Sequence, residues 1–586
     1  MKRYIAIFLF SAFTALAASA QVERHVEVTK NYVPEVSTSA TKLSITPDMV
    51  DTVRLRPEID YTITPKSFVS TLGTHRFRPA SLTYWEYEKP HPFYLKLGVG
   101  YPLNTAADFY ATTHRAGVGY LTGYVNHRGE FGRIKYQDFS TGKDWHKDNR
   151  SLQMRSRIGV QGGKYFDRYI LSGDVYYNTE TYSRFPLLNT ETRSYDRRDV
   201  DFEDVKFALR FGDSFVDMSK LNFSTYLSMD FFNDKSHTPI VGDRYRQLDF
   251  TAGAGIARRI SPRSEFSFDV DYRGYMGLNA LSDYVDHELS AAVMYAYHSG
   301  RMVDLKVGFR FTYDYNKTDA KKQHHYHPFP YLMLSLNVNN KGVFVPYIEL
   351  DGELQNNSYH SLVKRNPYTA VMPTLPLRGV GANGTAALPN TAAYNVRLGL
   401  SGHTTNGRLA YRIYANMGFL ENSLYWYNIN QLFFNAETAR RNIWTVCAAV
   451  DYKPISQLLI SAHIKGMLYN NYSNVNDGMP PVEALLNVRY THDKFSVGAS
   501  AELIGTTTWT SIYDARFFDA SSTAEPVWYR VKTPATVDLS LFAEYHISRF
   551  CTIFIEGHNL ANMDIYRWAC YREQGASFTA GVKLKF

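Results

Sequence analysis

Three histidines stand close together at His324, His325 and His327, within the run Lys321-Lys322-Gln323-His324-His325-Tyr326-His327-Pro328. Imidazole is a ligand for zinc, copper and haem iron, so such a group on one loop could capture a metal. A zinc site needs its ligands at a defined spacing, however, and no paired ligand stands at one here. A solvated outer loop rich in polar rings accounts for the same residues, and no metal or other cofactor is expected. Two acidic sets recur at every second or fourth position: Glu265, Asp269 and Asp271, and Glu349, Asp351 and Glu353. Enclosed carboxylates of this kind bias which ions or solutes enter a lumen. They also pair with arginines such as Arg273 and Arg310, which would brace the interior. Cys447, Cys551 and Cys570 are odd in number and lack metal-ligand spacing; two of them could form a disulfide in an oxidising compartment. No G-x-S-x-G, H-E-x-x-H, EF-hand or phosphate-loop pattern is present, so the chain is not expected to be an enzyme.

The acidic positions fall on elements of period two. Phe266, Phe268, Val270 and Tyr272 alternate with Glu265, Ser267, Asp269 and Asp271. Leu248, Phe250, Ala252, Ala254 and Ile256 alternate with polar or small residues just before the turn Ser261-Pro262-Arg263. The same holds for Val537 to Ile547, and for Phe578, Ala580, Val582, Leu584 and Phe586 against Ser577, Thr579, Gly581, Lys583 and Lys585. Successive side chains of a strand point to opposite faces, whereas a helix needs spacings of three and four. The runs of alternation are longer than ordinary strands, and no blade-length repeat occurs, which excludes a propeller.

The compartment follows from the start of the chain. Lys2 and Arg3 precede an apolar stretch from Ile5 to Ala17 and a small-residue site, Ala18-Ser19-Ala20. This is the pattern of a secretory signal peptide over 1–20, with the mature chain starting near Gln21. No later run of about 18 apolar residues exists, so no helical span is predicted. The chain holds 45 Tyr and 36 Phe but only 7 Trp. A secreted chain rich in tyrosine and without apolar helices fits an all-β transmembrane antiparallel barrel in the outer membrane of a Gram-negative cell, in contact with its lipid. The net charge of +8 is modest for 586 residues, and no basic run with interleaved aromatics marks a nucleic-acid surface.

Tight turns are expected at His298-Ser299-Gly300, Asn339 to Gly342, Asn406-Gly407, Lys453-Pro454 and His492-Asp493, and long outer loops at 179–202, 357–391, 420–440 and 509–534. Both chain ends then lie on the periplasmic side and the strand number is even. The spacing of the runs predicts roughly 22 strands over 92–586. Residues 21–91 read as an extended segment, periplasmic or inserted in the lumen, because Pro34, Pro47, Pro57, Pro65 and Pro79 punctuate it.

The end of the chain resembles the TonB-dependent receptor barrels of Bacteroidetes-type bacteria. The likeness rests on Glu556-Gly557-His558-Asn559-Leu560-Ala561-Asn562, then Tyr566, then a final strand ending in Phe586, and on the opening Tyr94-Leu95-Lys96-Leu97-Gly98-Val99-Gly100-Tyr101. The resemblance implies that Phe578, Leu584 and Phe586 form the signal read by the barrel assembly machinery. It also implies a globular plug before the barrel, for which residues 21–91 are too few. Val26 to Pro34 vaguely resembles the box through which such receptors meet TonB; an ordinary periplasmic tail accounts for the same residues, since five-residue alternations are common by chance. The expected function is a transporter or channel for an unknown solute; the alternative is a non-transporting barrel that scaffolds another envelope protein. A wide barrel needs an occluding element. The candidates are the N-terminal segment, with Arg54 and Arg56, and the loop 357–391, with Lys364 and Arg365, reaching acids such as Asp269 and Glu349.

Overall fold

A computed structural model describes residues 91–586 except 116, 138–144, 184–199, 216, 237–244, 280, 283, 301, 318–321, 339–340, 370–387, 432, 473–474 and 516–520. The expected signal peptide, the N-terminal segment with Arg54 and Arg56, and the stretch expected to resemble a TonB box therefore lie outside the described residues.

Alternation becomes a wall. Consecutive strands pair antiparallel from β1 (Phe93–Tyr101) through β19 (Phe495–Ile504). There β19 pairs with β22 (Thr536–His546), β22 with β23 (Cys551–His558), and β23 with β26 (Ser577–Lys585). Strand β26 then pairs back onto β1, from Tyr94 opposite Lys585 to Tyr101 opposite Phe578. The result is one closed ring of 22 strands, as the spacing predicted. Closure matters because no open edge can be left in lipid. The seam is finished by reciprocal backbone bonds between Phe93 and Phe586, at 2.9 and 3.1 Å, and by their stacked rings.

The two faces separate as the alternation requires. On β9 (Ser264–Asn279), Phe266 and Phe268 are exposed on the outside, and Ile256 of β8 (Tyr245–Ser261) stands beside Phe268. Glu265, Asp269 and Asp271 take the inner face, where Tyr226 donates to Asp271 at 2.5 Å. A lysine near the bilayer midplane costs about 2–4 kcal/mol on the lipid face and little in the lumen. Val270→Lys is therefore expected to lower the heat-modifiable fraction of the refolded protein far more than Asp269→Lys. Equal losses would reverse the assignment of faces.

The ends of the barrel differ. Both ends of the paired chain, Phe93 and Phe586, meet at one end, here the terminus end. Its turns are short, as at Pro262–Arg263. The turn expected at Lys453-Pro454 is displaced to Ser456–Gln457, since β16 (Phe433–Ile455) runs to Ile455. The opposite, loop end carries the long connections, two of which are not loops. Residues 420–440 form the top of a hairpin between β15 (Leu409–Ile429) and β16, and 509–534 holds the hairpin of β20 (Thr507–Tyr513) and β21 (Val527–Thr533). The 179–202 loop is shorter than expected: strands reach Tyr182 and resume at Val200.

Candidate functional site: the closed loop end of the lumen

The connection after β13 (Val345–Gln355) turns inward rather than outward. Its described residues, Asn356 to Thr369 and Leu388 to Asn390, make a strap that contains one short helix, α1 (Tyr359–Arg365). Ser358 caps the helix by accepting from the Ser361 N–H, the usual use of a serine there. The two feet of the strap are asparagines. The Asn356 side-chain amide donates to Asp286 at 2.8 Å and Glu288 at 3.2 Å. The Asn390 amide donates to Asp286 at 2.9 Å and Asp314 at 3.1 Å. Asn356, Asn390 and the three carboxylates are all buried. An amide supplies donors without charge, so it satisfies enclosed carboxylate oxygens where solvent cannot.

The helix docks on the next strands round the wall. His360 Nδ1 lies 2.6 Å from Asp249, and its ring stacks on Phe232 at 4.3 Å. Gln247 donates to Ser358 at 2.9 Å and accepts from the His360 N–H at 3.2 Å. Tyr359 donates to Asp234, and Lys364 reaches Asp230 at 3.5 Å. The expectation that Lys364 and Arg365 meet Asp269 and Glu349 fails. Arg365 instead binds its own strap, through the Asn357 side chain and the Asn356 carbonyl. Depth is the reason. Asp249 pairs with Tyr275, six residues from Asp269, which at strand rise is about 20 Å along the wall.

Above the strap the other insertions meet in an aromatic lid. Beyond Glu421 and Arg441, β15 and β16 have no wall neighbour and continue as a free hairpin. A bulge between Leu420 and Ser423 re-aims it, with Asn422 at φ 53°. Its tip pairs in parallel with β20, Asn428 with Ser511 and Ile429 with Ile512. From it Phe434 packs edge-on against Trp509 and Trp568, at 5.8 and 5.3 Å. Tyr368 of the strap stacks on Tyr571 at 3.5 Å. Trp568 and Tyr571 belong to the small hairpin of β24 (Tyr566–Trp568) and β25 (Tyr571–Arg572), inserted between β23 and β26. The same buried cluster takes in Val200, Phe202, Phe232 and Tyr245 from the opposite side of the ring. Elements from all round the mouth thus share one apolar core. In that hairpin, burial pushes the Glu573 carboxyl up, against the pull of Arg567.

The motif that suggested a family has a local physical role. Asn559 and Asn562 sit at φ 46° and 50°, a conformation asparagine tolerates better than most residues. The Asn559 side chain donates to the Met563 and Gln574 carbonyls, and Asn562 accepts from the Ala576 N–H. The motif folds the connection that carries Trp568 into the lid.

The remaining candidate residues are placed as follows. The histidines lie on a strand, β12 (Lys322–Leu336), not on a loop. His324 is exposed on the outer face, 2.8 Å from the Tyr313 hydroxyl, while His325 and His327 stack on the inner face. The three cannot share one ion, and among the described residues no group of His, Cys, Asp or Glu is arranged to hold a metal. Arg397 bridges Glu349 and Asp351, at 3.1 and 2.8 Å, and Gln355 donates to Glu353 at 2.7 Å. Arg273 reaches Glu288, 3.6 Å away, rather than the acids of its own strand. Phe578 and Phe586 are exposed on the outside of β26 and at its end, and Leu584 pairs between Leu95 and Cys551. None of the three cysteines is joined in a disulfide, so the possible bridge is absent.

No protein-family model matches the chain, and no curated protein does. Solved structures do. The FrpB iron transporter from Neisseria meningitidis aligns with 10% identity over 85% of this chain and 83% of its own, at a TM-score of 0.64. The copper transporter OprC aligns with 13% identity over 85% and 81%, at 0.60. The ferripyoverdine receptor of the outer membrane of Pseudomonas aeruginosa aligns with 12% identity over 85% and 72%, at 0.60. At such identities the likeness is one of fold.

Proposed function

We propose that the chain is an outer-membrane transporter of the TonB-dependent receptor type, for a solute of unknown identity, shut at its loop end by its own strap and lid. One observation carries the reading. Every closing element is an insertion between wall strands, so the mouth can open while the ring of wall hydrogen bonds stays intact. The transporters and the receptor that share the fold support it. On this reading the chain is a conduit and not a catalyst. The assembly machinery inserts it by its last strand, and energy reaches it from TonB through the segment that begins with Val26 to Pro34.

The size and burial of the aromatic lid favour a second reading, a scaffold that never opens and binds an envelope partner instead. Planar-bilayer conductance separates the two. The purified full chain is expected to be closed. Releasing the strap by Asn356→Ala with Asn390→Ala, together with deletion of residues 24–85, is expected to give discrete openings and to raise antibiotic sensitivity in cells. A variant so altered that stays closed, with unchanged sensitivity, supports the scaffold.

A further inference from the structure

The terminus-end rim combines cations that have no carboxylate partner among the described residues with exposed apolar side chains along one arc, from β2 (Asn104–Arg115) to β9; of these, Arg258 donates to the Ser219 carbonyl at 3.2 Å and Lys164 lies 5.2 Å over the Phe166 ring. Arg115 and Lys164 both lie on the outer face. They flank Gly119 in register, Arg115 opposite Gly119 on one side and Lys164 opposite it on the other. Two strand spacings separate them, about 10 Å, with no side chain between. None can be placed there, since a Cβ on Gly119 would fall 2.2 Å from the Gly163 carbonyl oxygen. Further along the arc, Arg258 stands opposite Phe266 on the outer face and Arg263 occupies the adjoining turn. All four cations are exposed, and none makes an ion pair among the described residues. By contrast Arg168 and Lys220, on the same arc, are paired with Asp213 and Asp217. Val118, Phe166, Leu221 and Ile260 project beside the cations, each roughly half exposed or more.

We propose that this arc binds the headgroups of anionic phospholipid in the leaflet at the terminus end, the Arg115–Gly119–Lys164 gap holding one phosphate. The inference rests on the membrane-spanning reading above. Apolar side chains at this height enter the acyl boundary, and the cations beside them meet headgroup phosphates. Lysine and arginine are strongly attracted to an anionic lipid surface, and the attraction is screened within a Debye length. The continuous apolar wall just above the arc fixes the occupant as lipid, and the sign of the charge fixes its headgroup.

The test uses the full chain refolded into vesicles of phosphatidylethanolamine, with or without phosphatidylglycerol, and compares it with the quadruple variant Arg115→Gln, Lys164→Gln, Arg258→Gln, Arg263→Gln. Heat-modifiable mobility reports the barrel, and mass spectrometry counts phosphatidylglycerol retained after extraction. The parent chain should retain phosphatidylglycerol selectively. Loss of the four cations, or high salt, should cut retention about fivefold or more while mobility is kept, since one such cation contributes about that factor. Selective retention that ignores salt, no selective retention, or equal retention by the variant overturns the proposal and leaves the barrel standing; an acidic protein partner would give the second result. Where the variant does not fold, the salt series on the parent chain decides. A parent chain with no heat-modifiable form in either vesicle overturns the membrane reading and the proposal with it.

Discussion

Replacing both feet of the strap, Asn356→Ala with Asn390→Ala, is expected to release the inserted segment while leaving the barrel closed. The amides satisfy Asp286, Glu288 and Asp314, which are buried. Removing them takes the amide donors from Glu288 and Asp314 and leaves Asp286 Oδ2 with the Tyr284 hydroxyl, 3.3 Å away, at about 1–3 kcal/mol for each oxygen left without a donor. A joint loss of about 3–4 kcal/mol corresponds to a roughly hundredfold rise or more in the open population, at a factor of ten per 1.4 kcal/mol. The readout is amide exchange at Leu362 and Asn366, whose N–H groups donate within the strap at 2.9 and 2.8 Å. Protection there should collapse, while wall amides such as those of β9 keep theirs. Protection unchanged in the double variant would mean that the docking of His360 and Tyr359 suffices and that the feet are ornamental.

The closing seam should be the least tolerant part of the wall. A Cβ on Gly581 would lie 1.9 Å from the Leu97 carbonyl oxygen of β1. The obstacle is backbone, so no rotamer change relieves it, and Gly581→Val must push β26 away from β1. Backbone polar groups exposed to lipid cost several kcal/mol each. Barrels that fail to close are not expected to leave the periplasm, and surface levels should fall by roughly tenfold or more on that scale. Deleting Phe586 should act in the same direction, more mildly. It removes the two reciprocal bonds to Phe93, the ring stack, and the residue proposed as the assembly signal. Normal surface levels and heat-modifiable mobility of both variants would contradict the account of the seam.

Strands were legible where one face is apolar and the other is not. The run Phe266, Phe268, Val270 and Tyr272 shows which residues face out, and the seam residues of β26 were found the same way. The lid was not legible, for the same physical reason. Leu424 to Ile429 is buried on both faces, so Tyr425, Trp426 and Tyr427 show no alternation and the stretch reads as a loop. Ion-pair partners were also hidden: faces follow from parity, but Arg397 meets Glu349 only through a register set by pairing. The histidines were misplaced because Lys321-Lys322 and Pro328 look like loop chemistry. Pro328 and Pro330 are tolerated on β12 because that part of the strand pairs with β11 (Val303–Lys317) alone. Pairing to β13 is confined to Leu332–Ser335, and proline belongs where one edge of a strand is free.

The claim that the loop end is shut by the chain itself is tested most directly by thiol access in intact cells. Two cysteine thiols are built into the relevant places. Cys570 is 3% exposed inside the lid and Cys447 is 3% exposed on the lumen face below it, beside Lys465. With Cys551 replaced by serine, a membrane-impermeant maleimide added outside should leave both unlabelled in the parent chain. It should label Cys570 at least about tenfold faster in the Asn356→Ala, Asn390→Ala variant, following the open population. Rapid labelling of Cys570 in the parent chain, at the rate of an exposed thiol, would show that no such closed mouth exists.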